Sequence, residues 1–375
     1  MISALPPPAQ KLRIVILGLS ITSSWGNGHA TTYRSLMRAL ARRGHDVLFL
    51  EREAPWYAAH RDVLDPPCGA VRLYGSLDEL KERWRGALAR ADLVVVGSYV
   101  PEGIAVVELV RTWARGLLAF YDIDTPVTLA GLAAGNCPYL SADLVPVFDL
   151  YLSFTGGPVL RHLERHYGVQ AARVLYCAVD PLCHRPEAAE SLWDLGYLGT
   201  YSADRQPKVE ALLSEPARRW PQGRFSLAGA LYPPDVAWPA NLERIEHIGP
   251  ADHHWFYARQ RFTLNLTRAD MIRTGYSPSV RLFEAAACGV PIISDWWPGL
   301  DTILKPGSQI LVARDAREVL SYLRDMAEEE RQRIAARARA AVLARHTAAH
   351  RAQALETYVG ERLAGTSGRR AAGAG

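Results

Sequence analysis

The chain has 375 residues, 49% apolar and 22% charged, enough to bury two ordinary cores and too apolar to be disordered throughout. Its 43 basic and 39 acidic residues leave a formal charge of only +4, which argues against nucleic acid as a main partner. The five cysteines, at 68, 137, 177, 183 and 288, form no CxxC pair, so a disulfide scaffold is excluded and free thiols in a reducing compartment are expected.

The opening residues 1–11, MISALPPPAQK, are proline-rich and lack the apolar core of a signal peptide. They read as a disordered lead-in. No run reaches the ~18–20 apolar residues needed to cross a bilayer, so a cytoplasmic protein is expected. Arg13–Gly18 is an apolar, β-branched run of the kind buried in parallel sheets. After a glycine-bearing loop, the spacing predicts a helix over Ala30–Arg43. Its Tyr33, Leu36, Met37 and Leu40 fall on one stripe, Gly44 ends it, and His45–Leu50 is the next strand. Further strands are predicted at Val71–Tyr74, Leu93–Val96, Leu117–Tyr121 and Leu150–Phe154, with amphipathic helices such as Leu77–Ala91 between them.

At Tyr176–Pro186 the periodicity stops, and the linker is placed at 177–192. A second βα series follows, with strands at Leu195–Gly199, Arg224–Ala228, Glu243–Ile248, Phe262–Leu266, Pro291–Ser294 and Gln309–Val312. Helices follow at Glu318–Met326 and Glu328–Arg345. A last helix from Ala349 aligns Leu355, Val359 and Leu363 and must dock on something, whereas the tail Gly365–Gly375 is small, polar and expected to be disordered. The organisation is α/β, with two Rossmann-like doubly wound domains facing a cleft, at 12–180 and 181–345, and a C-terminal helix at 346–364. Residues 331–375 carry nine Arg and two Glu. This reads as a solvated helix face, with contact to a lipid surface as the lesser alternative.

The richest stretch is Met271–Gly299. Gly275–Ser279 is a loop entering a helix, with Ser277 as its cap and Pro278 at its first position. A helix N-terminus in an α/β domain is an anion site, and Arg281 in its first turn makes sense beside a bound phosphate. Glu284, one turn deeper, is placed to accept from a ribose diol. The plainer alternative is a cap and a surface ion pair. Arg268, after the strand 262–266, lies at the same sheet edge. Trp296, Trp297 and Asp295 follow another strand, and the aromatic pair suits either a sugar or the core.

In the first half, Gly26, Asn27 and Gly28 let a ligand approach the backbone, without the GxGxxG of a dinucleotide site. His29 then starts a helix whose dipole should keep its imidazole neutral and able to take a proton. Asp122 and Asp124, at i and i+2 on a strand end, can share a site or cap a turn.

The stretch SPSVRLFEAAACGVPIISDWWPGLDTIL resembles the C-terminal signature of GT-B glycosyltransferases, nearest the CgeB-like, spore-maturation group. The likeness extends to LNLTRADMI, to PGSQILVARDAREVL and to SSWGNGHATTYRSLMRALARRGHDVLFLERE. It implies transfer of a sugar from a UDP-, GDP- or dTDP-sugar to an unidentified glycan, protein or small molecule, with no cofactor and no metal. In such enzymes two glutamates eight positions apart bracket the start of this helix. The second, on the ribose, corresponds to Glu284, but the first falls on Tyr276. The resemblance also places Arg205 and Lys208 near the donor diphosphate, with Tyr276, Ser277, Ser279, Arg281 and Arg268 on the donor and His29, Asp122 and Asp124 as candidate bases. Two alternatives remain open: a nucleotide-sugar epimerase on the same fold, or a silent nucleotide-binding protein.

Overall fold

The computed structural model describes residues 6–8, 10–63 and 69–372, with side chains as far as Ala364. Cys68, most of the lead-in and residues 373–375 lie outside the described residues. The chain divides into two units, one holding it as far as Cys177 together with the segment from Ala348 onward, the other Ala178–Thr347.

In the first unit seven strands form one parallel sheet: β1 (Arg13–Gly18), β2 (Asp46–Arg52), β3 (Ala70–Tyr74), β4 (Leu93–Gly97), β5 (Leu117–Asp122), β6 (Leu150–Ser153) and β7 (Ala172–Val174). Their order is β3-β2-β1-β4-β5-β6-β7. Both faces are covered by helices, so the central strands read as continuous apolar runs, and all five residues of β4 are buried. Val15, Leu17, Val94, Val96, Phe120 and Tyr151 pack against Val106, Val110 and Leu163 from the helices α2 (Gly103–Trp113) and α4 (Pro158–His166); α1 (His29–Arg42) and α3 (Thr125–Ala133) are among the other helices of this unit. β7 was not foreseen, because three residues at a sheet edge carry too little pattern.

The second unit holds a parallel six-stranded sheet in the order β10-β9-β8-β11-β12-β13. Its strands are β8 (Trp193–Leu198), β9 (Phe225–Ala228), β10 (Leu242–Ile245), β11 (Gln260–Asn265), β12 (Ile292–Ser294) and β13 (Leu311–Val312). The helices that bear on the site are α5 (His253–Ala258), α6 (Val280–Ala287) and α7 (Glu328–Arg345). The core joins Leu195, Tyr197, Leu227, Phe262, Leu264 and Ile293 to Leu212, Leu213 and Ile334.

The last helix, α8 (Ala348–Ala372), belongs to the first unit. Leu355 and Val359 are buried as their stripe required, and Glu356 accepts at 2.5 and 2.7 Å from Arg43, just past the end of α1. The tail expected to be disordered from Gly365 has a helical backbone as far as Ala372. Its alanines and arginines are good helix formers, which carry the turn past the two glycines. Among the described residues no helix is long and apolar enough to cross a membrane. Several cations of the basic C-terminal segment are used internally: Arg339 donates to the Ala287 carbonyl, Arg351 to that of Tyr176, and Arg331 pairs with Glu328.

Candidate functional site

In each sheet the chain winds outward on one side, then returns to build the other. The carboxyl ends of β1 and β4, and of β8 and β11, are therefore the points where successive connections diverge and leave a crevice.

At the second of these points four side chains from three distant segments meet. Arg281, in the first turn of α6, is buried, as the helix face facing the sheet requires. Its Nε donates to the Leu198 carbonyl ending β8, its Nη1 donates at 2.9 Å to Asn265 Oδ1 ending β11, and its guanidinium lies 4.7 Å over the Tyr197 ring. Ser279 Oγ donates to the same Asn265 oxygen at 2.7 Å. All these acceptors are neutral, so a buried cation at a positive helix end keeps its charge unmatched by a contacting carboxylate. Gly199 makes room for it: a Cβ there would lie 2.8 Å from Arg281 Nη2 and 2.5 Å from Tyr197 Oη. Asn265 and Tyr197 were not singled out from the sequence. Only the strand-end position of Asn265 could have drawn attention to it.

The approach to α6 differs from expectation. Ser279, not Ser277, is the cap residue, and Pro278 precedes the helix. Gly275 and Tyr276 both have left-handed backbone, with φ of 68° and 51°. That turn brings the Tyr276 amide to the Pro298 carbonyl at 2.6 Å, and the chain becomes helical only beyond it. Ser277 Oγ donates back to the Gly275 carbonyl at 3.1 Å. Tyr276 thus stands where a glutamate was expected and holds a strained conformation against Gly299, where an added Cβ would lie 2.6 Å from its ring.

The other expected cations lie at the starts of two short helices, Lys208 within Gln206–Val209 with Arg205 just before it, and Arg268 just before Ala269–Thr274. Lys208 pairs with Asp295, whose Oδ1 also accepts from the amide and hydroxyl of Thr267 at 3.2 and 2.9 Å. Arg205 donates to the Thr200 carbonyl at 2.6 Å. Arg268 lies 3.9 Å from Asp204, which accepts the Ala269 amide at 2.8 Å and so ties the two helix starts together. The tryptophan pair splits: Trp297 is fully buried and Trp296 is 49% exposed.

Glu284 is enclosed, at 2% exposure. His184 Nε2 stands 3.4 Å from its Oε1, His253 Nδ1 stands 3.3 Å from its Oε2, and the Tyr257 hydroxyl donates to Oε2 at 3.4 Å. Burial raises the carboxyl pKa, but His184, His253 and Arg281 outweigh it and hold the group at about 2. The Arg281–Glu284 surface pair weighed from the sequence is not formed at the surface, because both residues are buried. Neither histidine was foreseen; His184 lies in the proline-rich linker, where periodicity is silent.

At the switch point of the first sheet, the loop between β1 and α1 is built around Glu51. Its buried carboxylate accepts from Ser20 Oγ at 2.8 Å, from the Ile21 and Thr22 amides at 2.7 and 3.0 Å, and from Thr22 Oγ1 at 2.7 Å. Asn27 is a brace: its amide donates to the Ser20 and Ser23 carbonyls, both at 3.1 Å, and its oxygen accepts the His29 amide at 3.1 Å. Gly26 has φ 59°, while Gly28 has open space around it. The ring of His29 stands 5.4 Å from that of Tyr99, whose hydroxyl donates to Asp124 Oδ2 at 2.9 Å. Tyr99 itself has φ 63°. Burial lowers the His29 pKa to about 4, so the imidazole is neutral as expected, through desolvation where the helix dipole was the expected cause.

The two aspartates, which could share a site or cap a turn, take different partners, and Asp122 Oδ1 accepts the Asp124 amide at 3.3 Å. Asp122 is fully buried; it accepts from Thr128 Oγ1 at 2.7 Å and Tyr151 Oη at 2.5 Å, and burial pushes its pKa up to about 6. It holds α3 to β6, while Asp124 accepts from Tyr99, whose ring stands beside that of His29.

Two parallel-sheet Rossmann-like units define the GT-B fold, and comparison with solved structures bears this out. Sucrose-phosphate synthase from Thermosynechococcus elongatus aligns with 94% of this chain and 100% of its own at 16% identity and a TM-score of 0.68. Anabaena HepE, solved in complex with UDP and glucose, aligns with 93% and 100% at 13% identity and 0.68. AviGT4, a glycosyltransferase involved in avilamycin A biosynthesis, aligns with 92% and 97% at 16% identity and 0.61. At these identities the likeness is one of fold. Residues 205–357 match the glycosyl transferase-like family, and no curated protein matches the chain.

Proposed function

We propose that this protein is a glycosyltransferase drawing on a nucleotide-activated sugar, of the CgeB-like group and acting in the cytoplasm. The observation that carries the reading is Arg281: a buried guanidinium at a helix N-terminus and a sheet switch point, contacted among the described residues only by neutral groups. A diphosphate is the anion that such a place accommodates. In this reading Arg205, Lys208 and Arg268 share the diphosphate charge with Arg281, so departure of the nucleotide requires no metal. Tyr276, Ser277 and Ser279 line the approach to α6, and Glu284 takes the ribose. HepE, solved with UDP and with UDP-glucose, supports UDP as the first nucleotide to test.

The acceptor is a glycan, protein or small molecule. On the acceptor side Gly26, Asn27 and Gly28 shape the loop, and His29 with Asp124 is the pair to receive a proton if transfer inverts configuration. A pKa of about 4 makes His29 a weak base at neutral pH, so retention, with the leaving phosphate taking the proton, is equally served. A silent nucleotide-binding protein is a second reading, favoured by Tyr276 standing where the donor-sugar carboxylate was expected.

Calorimetry with UDP, GDP, dTDP and their sugars tests the proposal. One nucleotide is expected to bind, and Lys208→Ala to weaken it about tenfold, as loss of a charged contact to phosphate should. Binding unaltered in Lys208→Ala, or none of any nucleotide, would remove the reading. Binding of a sugar nucleotide without transfer to any acceptor in a broad panel would favour the silent one, and its conversion to an isomer would favour the epimerase.

A further inference from the structure

Three segments far apart in the second unit each send one metal-binding type of side chain to the same point. His184 comes from the chain leading to β8, His253 opens α5, and Glu284 lies within α6. Their donor atoms all lie within 4.8 Å of one another. His184 and Glu284 side chains are each 3% exposed and His253 is 14% exposed, so the cluster is enclosed and His253 is its most accessible member.

The polar atoms here are not satisfied by one another. Both ring nitrogens of His184, Nδ1 of His253 and Oε1 of Glu284 are buried, and none makes a well-directed hydrogen bond among the described residues, although His184 lies near the Asp180 backbone and His253 near Glu284. Buried polar atoms are paired in the great majority of cases, so four orphans within one cluster require a reason. The spacing supplies it. Charge-assisted N–H···O bonds are about 2.7–2.9 Å long, whereas the two nitrogen–oxygen separations are 3.4 and 3.3 Å. Ligands about 2.0–2.1 Å from a tetrahedral ion stand roughly 3.3 Å from each other.

We propose that His184, His253 and Glu284 bind a divalent transition-metal ion, zinc by its donor set of two imidazoles and a carboxylate. Three protein ligands leave a further position to water. The ion would fasten the linker, α5 and α6 together beneath the crevice, with Tyr257 supporting the carboxylate. This role is separate from the diphosphate cations and does not rest on the glycosyltransferase reading, but it takes Glu284 in place of the ribose contact: a carboxylate on the ion, with His184, His253 and Tyr257 around both its oxygens, has none left for a diol.

The test uses the whole protein with any affinity tag removed, stripped by a chelator and then reloaded with Zn²⁺ or Co²⁺ alone. One equivalent per chain by elemental analysis is expected, with visible Co²⁺ absorption bands of tetrahedral or five-coordinate type and a melting temperature that rises on loading and falls back with chelator. His253→Gln, at the most exposed ligand, and His184→Ala should each lose the equivalent and the spectrum. Reloading that gives no stoichiometric metal, or an equivalent that both variants retain, overturns the proposal. UDP titration alongside keeps the two claims apart. Protein that binds UDP but takes no metal sinks only the metal site, and metal uptake without nucleotide binding sinks only the donor reading.

Discussion

Arg281 and His29 are single residues whose environments make measurable demands. The Arg281 guanidinium spans two strand ends, the Leu198 carbonyl and Asn265 Oδ1, while lying on the Tyr197 ring. Lysine has no planar fork with which to repeat this. Arg281→Lys should therefore cost about 1–3 kcal/mol in urea denaturation and weaken nucleotide binding by at least tenfold in calorimetry. A variant equal to the parent in both would show that the bridge is idle. His29 titrates at about 4 when folded against 6.5 when free. Between these values the unfolded chain binds the extra proton, so His29 makes folding stability decline as pH falls from about 6.5 to 4. Asp122, raised to about 6 from 3.8, acts in the opposite sense, gaining stability over nearly the same interval, so the parent shows only the difference. His29→Gln removes one side of that opposition. Its urea midpoint, relative to the parent's, should rise on going from pH 7 to pH 4.5, and no relative rise would contradict the buried, neutral imidazole.

Loops at the strand ends set the elements in place, and the clearest case is the segment between β1 and α1. One carboxylate, Glu51 at the end of β2, receives two backbone amides and two hydroxyls from Ser20–Thr22. Such a carboxylate replaces the water those groups would otherwise need. Glu51→Ala removes the acceptor of both amides and both hydroxyls, and leaving a buried donor unsatisfied costs ~1–3 kcal/mol. Chemical denaturation should record that loss, together with faster hydrogen exchange at the Ile21 and Thr22 amides. Unchanged exchange at both would mean that the loop holds itself. The sequence reading treated this loop as a place of backbone freedom, because Gly26, Asn27 and Gly28 are the residues that permit it. Its rigidity was hidden because Glu51 lies on the next strand, beyond the reach of any local pattern.

At the scale of the whole molecule, the C-terminal helix closes the first unit after the chain has passed through the second. Glu356 joins α8 to Arg43 and to His45, whose Nε2 lies 2.7 Å from it, while Tyr358 and Arg351 donate to the carbonyls of Val174 and Tyr176. With Ala352, Leu355 and Val359 buried, removal of the chain from Ala348 should cost ~5 kcal/mol or more, about the stability of an ordinary domain. Circular dichroism melting of the truncated protein should lose the transition of the first unit. A full two-unit melt after truncation would contradict the docking.

Local sequence was enough to specify the alternation of strand and helix, the buried runs of β1 and β4, the stripe on α8 and the stretch around α6 that bears the resemblance. These follow from side-chain periodicity and chain stiffness over a few residues, which the order of amino acids encodes directly. Tertiary structure alone decided that Arg281 would reach back to Leu198 and Asn265, that Asp122 would turn inward while Asp124 met Tyr99, and that two histidines would surround Glu284. Each of those outcomes depends on which strand ends become neighbours when the sheet order doubles back, and residues brought together from remote segments leave no periodic trace along the chain.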